Sequence, residues 1–143
     1  MLSAAAVGEL CHWRENAAGR LAEIIVLDQF SRNIYRDTPR AFSCDNIALV
    51  LAQEAIRTIS KEALPLVQKS FLYLPFMHSE SALIHEHAVK LFNQPGLENS
   101  YDFELKHKAI IDRFGRYPHR NDILGRASTR EELAFLKQPG AAF

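Results

Sequence analysis

Asp28 and Arg32 stand four residues apart in a stretch, Ala17 to Arg36, that is otherwise rich in apolar side chains. Laid out at about 100° per residue, Ile24, Ile25, Val26, Leu27, Phe30 and Ile34 surround a helix, and the two charges fall between Ile24 and Ile25. Both are therefore expected to be buried. Burial costs several kcal/mol per charge unless each is paired and hydrogen-bonded, and leucine would serve at either place. Two explanations fit: an internal ion pair at helical i, i+4 spacing, or a polar site into which the pair projects. Asn33 and Arg36 continue the polar content to the end of the segment.

Two further clusters carry chemistry-bearing side chains. His78-Ser79-Glu80 stands at the entrance of a helical segment, where free N–H groups favour an anion; ordinary capping by Ser79 and Glu80 is the simpler account. On the wheel of that segment Leu83, Ile84, Ala88, Leu91 and Phe92 form the apolar arc, with Glu80 and His87 beside Leu83, while Glu86 and Lys90 face out. The third cluster runs from Lys106 to Arg126, where Lys106, Lys108, Arg113, Arg116, Arg120 and Arg126 meet only Asp112 and Asp122. Its centre, Arg113 to Asn121, sets aromatic residues and His119 between cations around a helix breaker. It suits a solvated basic loop, or a compact pocket in which arginines fork onto phosphate or carboxylate.

Other chemistries find little support. His85 and His87 are two apart and diverge on a helix, whereas a zinc-binding helix sets its histidines four apart, so no metal is expected. There is no GxSxG elbow, P-loop or GxGxxG, and hence no assigned nucleophile and no expected cofactor. The formal charge is zero, with seventeen basic and seventeen acidic residues, which makes a nucleic-acid partner unlikely. Cys11 and Cys44 form no CxxC pair and are expected as reduced thiols. No apolar run is long enough to span a membrane, and Gly8 and Glu9 interrupt the apolar start without a preceding basic residue, so a cytoplasmic location is expected.

The elements that must position these clusters read as all-helical, about seven short helices in a single domain over 1–143. They are expected near Ala4–Trp13, Ala17–Arg36, Asn46–Ile59, Ala63–Leu74, Ser79–Asn93, Ser100–Phe114 and, after a single turn at Asn121, from a Ser128–Glu131 capping box to Lys137. Pro65 suits a first turn, and Pro75 is expected to stop the helix before it. Loops of about 4–8 residues favour antiparallel hairpins packed as a bundle or stack.

Leu27-Asp28-Gln29-Phe30, Arg32-Asn33-Ile34-Tyr35-Arg36, Thr38-Pro39-Arg40-Ala41-Phe42, Leu72-Tyr73-Leu74-Pro75-Phe76 and His78-Ser79-Glu80 follow one another in an order that is itself informative. With Arg113 to Asn121, Leu124-Gly125-Arg126 and Glu131 to Leu136, this set resembles the bacterial "domain of unknown function 924" family from about Trp13 to Phe143. The resemblance implies a tetratricopeptide-like stack of helical hairpins and no established activity. Family members carry an aromatic segment upstream of the position of Trp13. With only a dozen residues before Trp13, this chain is expected to expose apolar surface, from which either a homodimer or a missing start of the gene product would follow. His85 and His87 stand where the family has glutamine and a variable polar residue, so no family role passes to them.

The leading expectation is a polar cleft that takes a small anionic molecule, formed by Asp28, Arg32, Arg36, His78, Glu80, Arg116, His119 and Arg120, with the carboxylates holding the arginines in place. An enzyme is the alternative, with His78 or His119 as acid or base beside Glu80 or Asp28. A peptide-binding or scaffold module, the usual business of helical repeats, is the third. A histidine within hydrogen-bond reach of a carboxylate inside the cleft would favour the enzyme.

Overall fold

A computed structural model describes residues 1–143 and contains helices and turns without a strand. In chain order they are α1 (Leu2–Ala6), a 3-10 turn (Cys11–Glu15), α2 (Ala17–Ile25), a π-helical turn (Val26–Phe30), α3 (Ser31–Ile34) and a second 3-10 turn (Pro39–Phe42). Then come α4 (Asp45–Thr58), α5 (Leu66–His78), α6 (Ala82–Phe92), α7 (Glu98–Phe114), a 3-10 turn (Pro118–Arg120), α8 (Asn121–Leu124) and α9 (Arg130–Leu136). The chain is all-α, as its periodicity implies.

Local chemistry sets most of the boundaries. Asn16 caps α2 by accepting from the Gly19 N–H at 2.8 Å, and Gly115, at φ 70°, ends α7 in the left-handed conformation that glycine adopts without a Cβ clash. Four details differ from the sequence expectation. Pro75 lies inside α5 rather than ending it, because Pro75, Phe76 and Met77 are all buried and their packing outweighs one lost backbone hydrogen bond. The helix expected from Ser79 begins at Ala82, with Ser81 as its cap. The capping box is Thr129–Glu132, one residue later than expected, while Ser128 accepts from Asn121 instead. Finally, α6 buries His85, Ala88 and Phe92, so Leu83 (66% exposed) and His87 face outward, opposite to the wheel assignment.

Helix α2 packs on α4 and α5, and each consecutive pair from α4 to α7 packs together. The main core joins Leu21 and Ile24 of α2 to Ala52, Ala55, Leu72, Phe76, Ala88 and Phe92. Phe92, fully buried, meets Tyr73 edge to face at 5.6 Å, worth about 1 kcal/mol beyond its burial. A second cluster sets Leu2, Ala5 and Leu10 against Val26 and Leu27, so the first residues of the chain cover one side of the π turn. Val7, Ile34, Val50, Val67 and Leu83 are each more than half exposed and lie on different elements. Both cysteines are free, Cys11 exposed and Cys44 buried. No helix is long and apolar enough to cross a membrane.

Candidate functional site

The π turn decides where the first cluster points. One extra residue in a helical turn rotates everything after it, and such turns recur at functional sites. Here Val26, Leu27 and Asp28 are consecutively buried, while Phe30 and Ile34, expected inside, are 41% and 59% exposed. Asp28, only 1% exposed, is turned inward; α3 then carries Arg32, and Arg36 follows in the turn after it.

Asp28 Oδ1 lies 2.7 Å from His78 Nδ1 and 3.2 Å from the Arg32 guanidinium; Gln29 Nε2 donates to Oδ2 at 2.5 Å. Burial raises the Asp28 carboxyl, but the His78 charge and hydrogen bond, then Arg32 and Gln29, outweigh it and hold the acid below its ordinary range. Arg32 also forks onto Asp45 at 2.7 and 3.0 Å, so two carboxylates fix its plane. Asp45, the first residue of α4, makes no cap and instead lies between Arg32 and Arg120, 3.8 Å from the latter. No spacing in the chain signals that contact.

Arg120 comes from the 3-10 turn between Gly115 and Gly125. It is 5% exposed, donates to the His78 carbonyl at 3.0 Å, and lies 4.5 Å from the Phe42 ring centroid and 4.7 Å from that of Tyr117. Its Nε has no partner, and neither has the buried Nδ1 of His119. Burial pulls the Arg120 pKa down against the pull of Asp45, and burial followed by the Arg120 charge pushes His119 down to about 4. His119 is therefore neutral at physiological pH.

These side chains border a cleft of about 680 Å³. Three segments line it: Gln29, Arg32, Asn33 and Arg36, from the π turn through α3 to the turn after it, on one wall; Leu74, Met77 and His78 of α5 as the floor; and Ser100, Phe103 and His107 of α7 on the other wall. Phe42, His119 and Arg120 close one end. Arg36 is exposed at the rim beside Asp37 and has no hydrogen-bond or ion-pair partner. The His78 ring is anchored through Nδ1 alone, and its Nε2 is neither bonded to protein nor sealed away from solvent. A smaller hollow of about 310 Å³, reached by His78, Glu80, Asp45 and Arg120, adjoins it.

Of the eight residues singled out from sequence, Arg32, Arg36, His78, His119 and Arg120 line the cleft, and Asp28 lies behind His78. Glu80 lines only the smaller hollow. It is held by Arg126 at 2.9 and 3.0 Å and by the Tyr117 N–H at 2.6 Å, which with Arg120 keep its carboxyl low against the effect of burial. Arg116 lies apart. It forks onto Glu132 at 2.9 and 2.8 Å and donates to the Ala127 carbonyl, so its guanidinium ties α9 to the loop after α7. Arg126 and Arg116 look alike in sequence, and only the placement of their carboxylates separates them.

Sequence reasoning passed over a second buried network. His85 Nδ1 meets Glu104 Oε1 at 2.5 Å, its Nε2 meets the Ser79 carbonyl at 2.7 Å, and Tyr117 Oη lies 3.0 Å from that same nitrogen. Burial raises the Glu104 acid, which the His85 bond offsets in part, and burial raises the Tyr117 phenol. All three side chains are fully enclosed, so the network braces α6, α7 and the loop behind the cleft. The inward periodicity of His85, Ala88 and Phe92 was the available signal.

No curated protein matches the chain. It is similar to the solved structure of a protein of unknown function, ATU0120, from Agrobacterium tumefaciens: TM-score 0.89, 40% sequence identity, over 95% of this chain and 77% of that one. The model of the family described as "Bacterial protein of unknown function (DUF924)" matches residues 1–140, upstream of Trp13 as well as beyond it. With that match over nearly its whole length, the chain belongs to the DUF924 family.

Proposed function

We propose that the cleft binds a small anionic molecule through Arg36, Arg32 and Arg120, and that the Asp28–His78 pair moves a proton on it. The observation that carries this is the 2.7 Å contact between His78 Nδ1 and the buried Asp28, which leaves Nε2 free beside three arginines. A carboxylate on Nδ1 fixes the tautomer in which Nδ1 carries the proton and Nε2 is basic. Nε2 can then take a proton from a water or a substrate hydroxyl, and the imidazolium so formed is stabilised by Asp28. Negative charge that develops on the substrate meets guanidinium groups already oriented by Asp45 and Asp28, with little reorganisation. Arg36 is the cation with no internal partner, and it supplies the attraction that Arg32 and Arg120 divide with carboxylates.

The gathering of Arg32, His78 and Arg120 at one cleft, from segments far apart in sequence, supports a pocket over a scaffold in which such residues are strung along a groove. A thermal-shift screen against phosphorylated and carboxylated metabolites tests the binding half, since a ligand selective for the folded state raises its melting temperature. A hit whose affinity falls about tenfold in Arg36→Ala supports the clamp, about 1.4 kcal/mol of binding. Turnover of that hit by wild type and its loss in His78→Gln supports the proton transfer; a hit indifferent to Arg36→Ala would contradict the anion site.

A further inference from the structure

The two walls of the cleft differ in chemistry. The α3 wall is polar and cationic, whereas the opposite wall, from α7 and the end of the chain, is aromatic. Phe103 is 54% exposed at its rim, and the Phe143 ring lies on the His107 ring at 3.7 Å with an angle of 34° between planes. Phe143 also meets Tyr117 edge-on at 5.6 Å and His119 at 4.9 Å, so a box of three rings already receives a flat aromatic group. The two histidines of that box add no positive charge. Burial pushes His107 down to about 4, and His119 is held equally low. His107 Nδ1 is engaged by the Phe103 carbonyl at 2.6 Å, which fixes the ring in place as a stacking surface. The floor between the walls is apolar apart from His78, with Leu74 and Met77. A bare phosphate or a short carboxylate would leave the aromatic wall and this floor in contact with water.

We infer that the ligand of this cleft is an aromatic or other flat apolar body bearing one anionic group, the anion at Arg36 and Arg32 and the flat body against Phe103 and the His107–Phe143 stack. This rests on the anion-binding role proposed above and narrows it to a substrate class. Stacking on aromatic side chains and removal of the ring's apolar surface from water both favour the ring-bearing ligand over a bare anion.

Isothermal titration with two matched pairs, acetate against benzoate and inorganic phosphate against phenyl phosphate, reads the contribution of the ring directly. The expected result is binding at least about tenfold tighter for the ring-bearing member of each pair. Phe103→Ala, at an exposed position, removes most of that gain and leaves acetate and phosphate unchanged. Arg36→Ala weakens both members alike. Equal affinity within each pair would overturn this inference and leave the anion site standing. Benzyl alcohol binding as tightly as benzoate would overturn the anionic half, and with it the clamp. No saturable binding by any of the four probes would overturn both.

Discussion

Two corners of the molecule are built from the same parts. In one, Asp28 holds His78 and Arg32, and Arg32 reaches on to Asp45. In the other, Glu132 accepts from Arg116, from Asn121 at 3.3 Å and from the Thr129 N–H at 2.9 Å. Both carboxylates are almost wholly buried, at 1% and 2% exposure, and both answer to an arginine on a neighbouring element. What separates them is the far side of the cations. Arg116 ends on the Ala127 carbonyl, and the Glu132 corner closes on itself as a joint between α9 and the loop before it. The Asp28 corner faces about 680 Å³ of open cleft, with His78 Nε2, Arg120 Nε and the whole Arg36 side chain left without partners. Buried charge by itself therefore marks structure as readily as function. Unused hydrogen-bonding capacity beside an opening is the discriminating feature.

The largest effect expected from breaking one corner is at Glu132. Glu132→Ala strips Arg116 of its carboxylate and the Thr129 N–H of its side-chain acceptor, leaving Arg116 only the Ala127 carbonyl and Asn121 Nδ2 only Ser128 Oγ, and urea denaturation should show a loss of about 2–3 kcal/mol. Binding to the cleft should be unchanged in the protein that remains folded. If stability is unaffected, the closed corner is not the joint described.

Next in size is the pH response, in which the two regions titrate in separate windows. His107 and His119 fall from 6.5 unfolded to about 4 folded, so the unfolded chain binds more protons between those values. Their contribution is complete above 6.5 and is lost as pH drops to about 4, by about 2–3 kcal/mol for the more deeply buried His107. The Arg116 hydrogen bonds hold Glu132 down from 4.5 to about 2, so its contribution is present above 4.5 and disappears only as pH falls toward 2. Denaturant titrations across pH 7 to 3 should show the histidine slope first. His107→Leu should remove much of the upper slope and leave the lower one.

Asp28→Asn sharpens the comparison from the other side. It keeps the shape and one acceptor, and Arg32 retains Asp45, so a loss of about 1–2 kcal/mol is expected. The amide cannot stabilise a His78 imidazolium, so any proton transfer through His78 should fall far more than stability does. Smallest of all, Arg36→Ala should shift the unfolding free energy by less than about 0.5 kcal/mol, as befits an exposed side chain without partners. A large drop would show an internal role for Arg36 and remove the free cation from the cleft.

Much of this was legible in the sequence, and unevenly. The helices α4 and α7 fall within a residue or two of their expected limits; a glycine stop at Gly115 marks the end of α7, and neither start carries a side-chain cap. The inward turn of Asp28 follows from its place among apolar neighbours. The π turn does not, since a single extra residue in a helical turn leaves the apolar spacing almost intact while rotating Phe30 and Ile34 outward. Arg116 and Arg126 share a composition and a loop, and their different fates depend on Glu132 and Glu80, which the chain brings in from distant positions. Asp45 reaches Arg32 across thirteen residues and a 3-10 turn, and linear spacing carries no trace of such a contact.

The central claim is that the Asp28–His78 corner is open to a ligand and the Arg116–Glu132 corner is not. Nitrogen-detected NMR of the imidazole and guanidinium side chains during a titration with phenyl phosphate up to about 10 mM tests it most directly. Saturable shifts at His78 Nε2 and Arg36, with Arg116 unmoved, are the predicted result; shifts at Arg116, or none at His78 and Arg36, would contradict it.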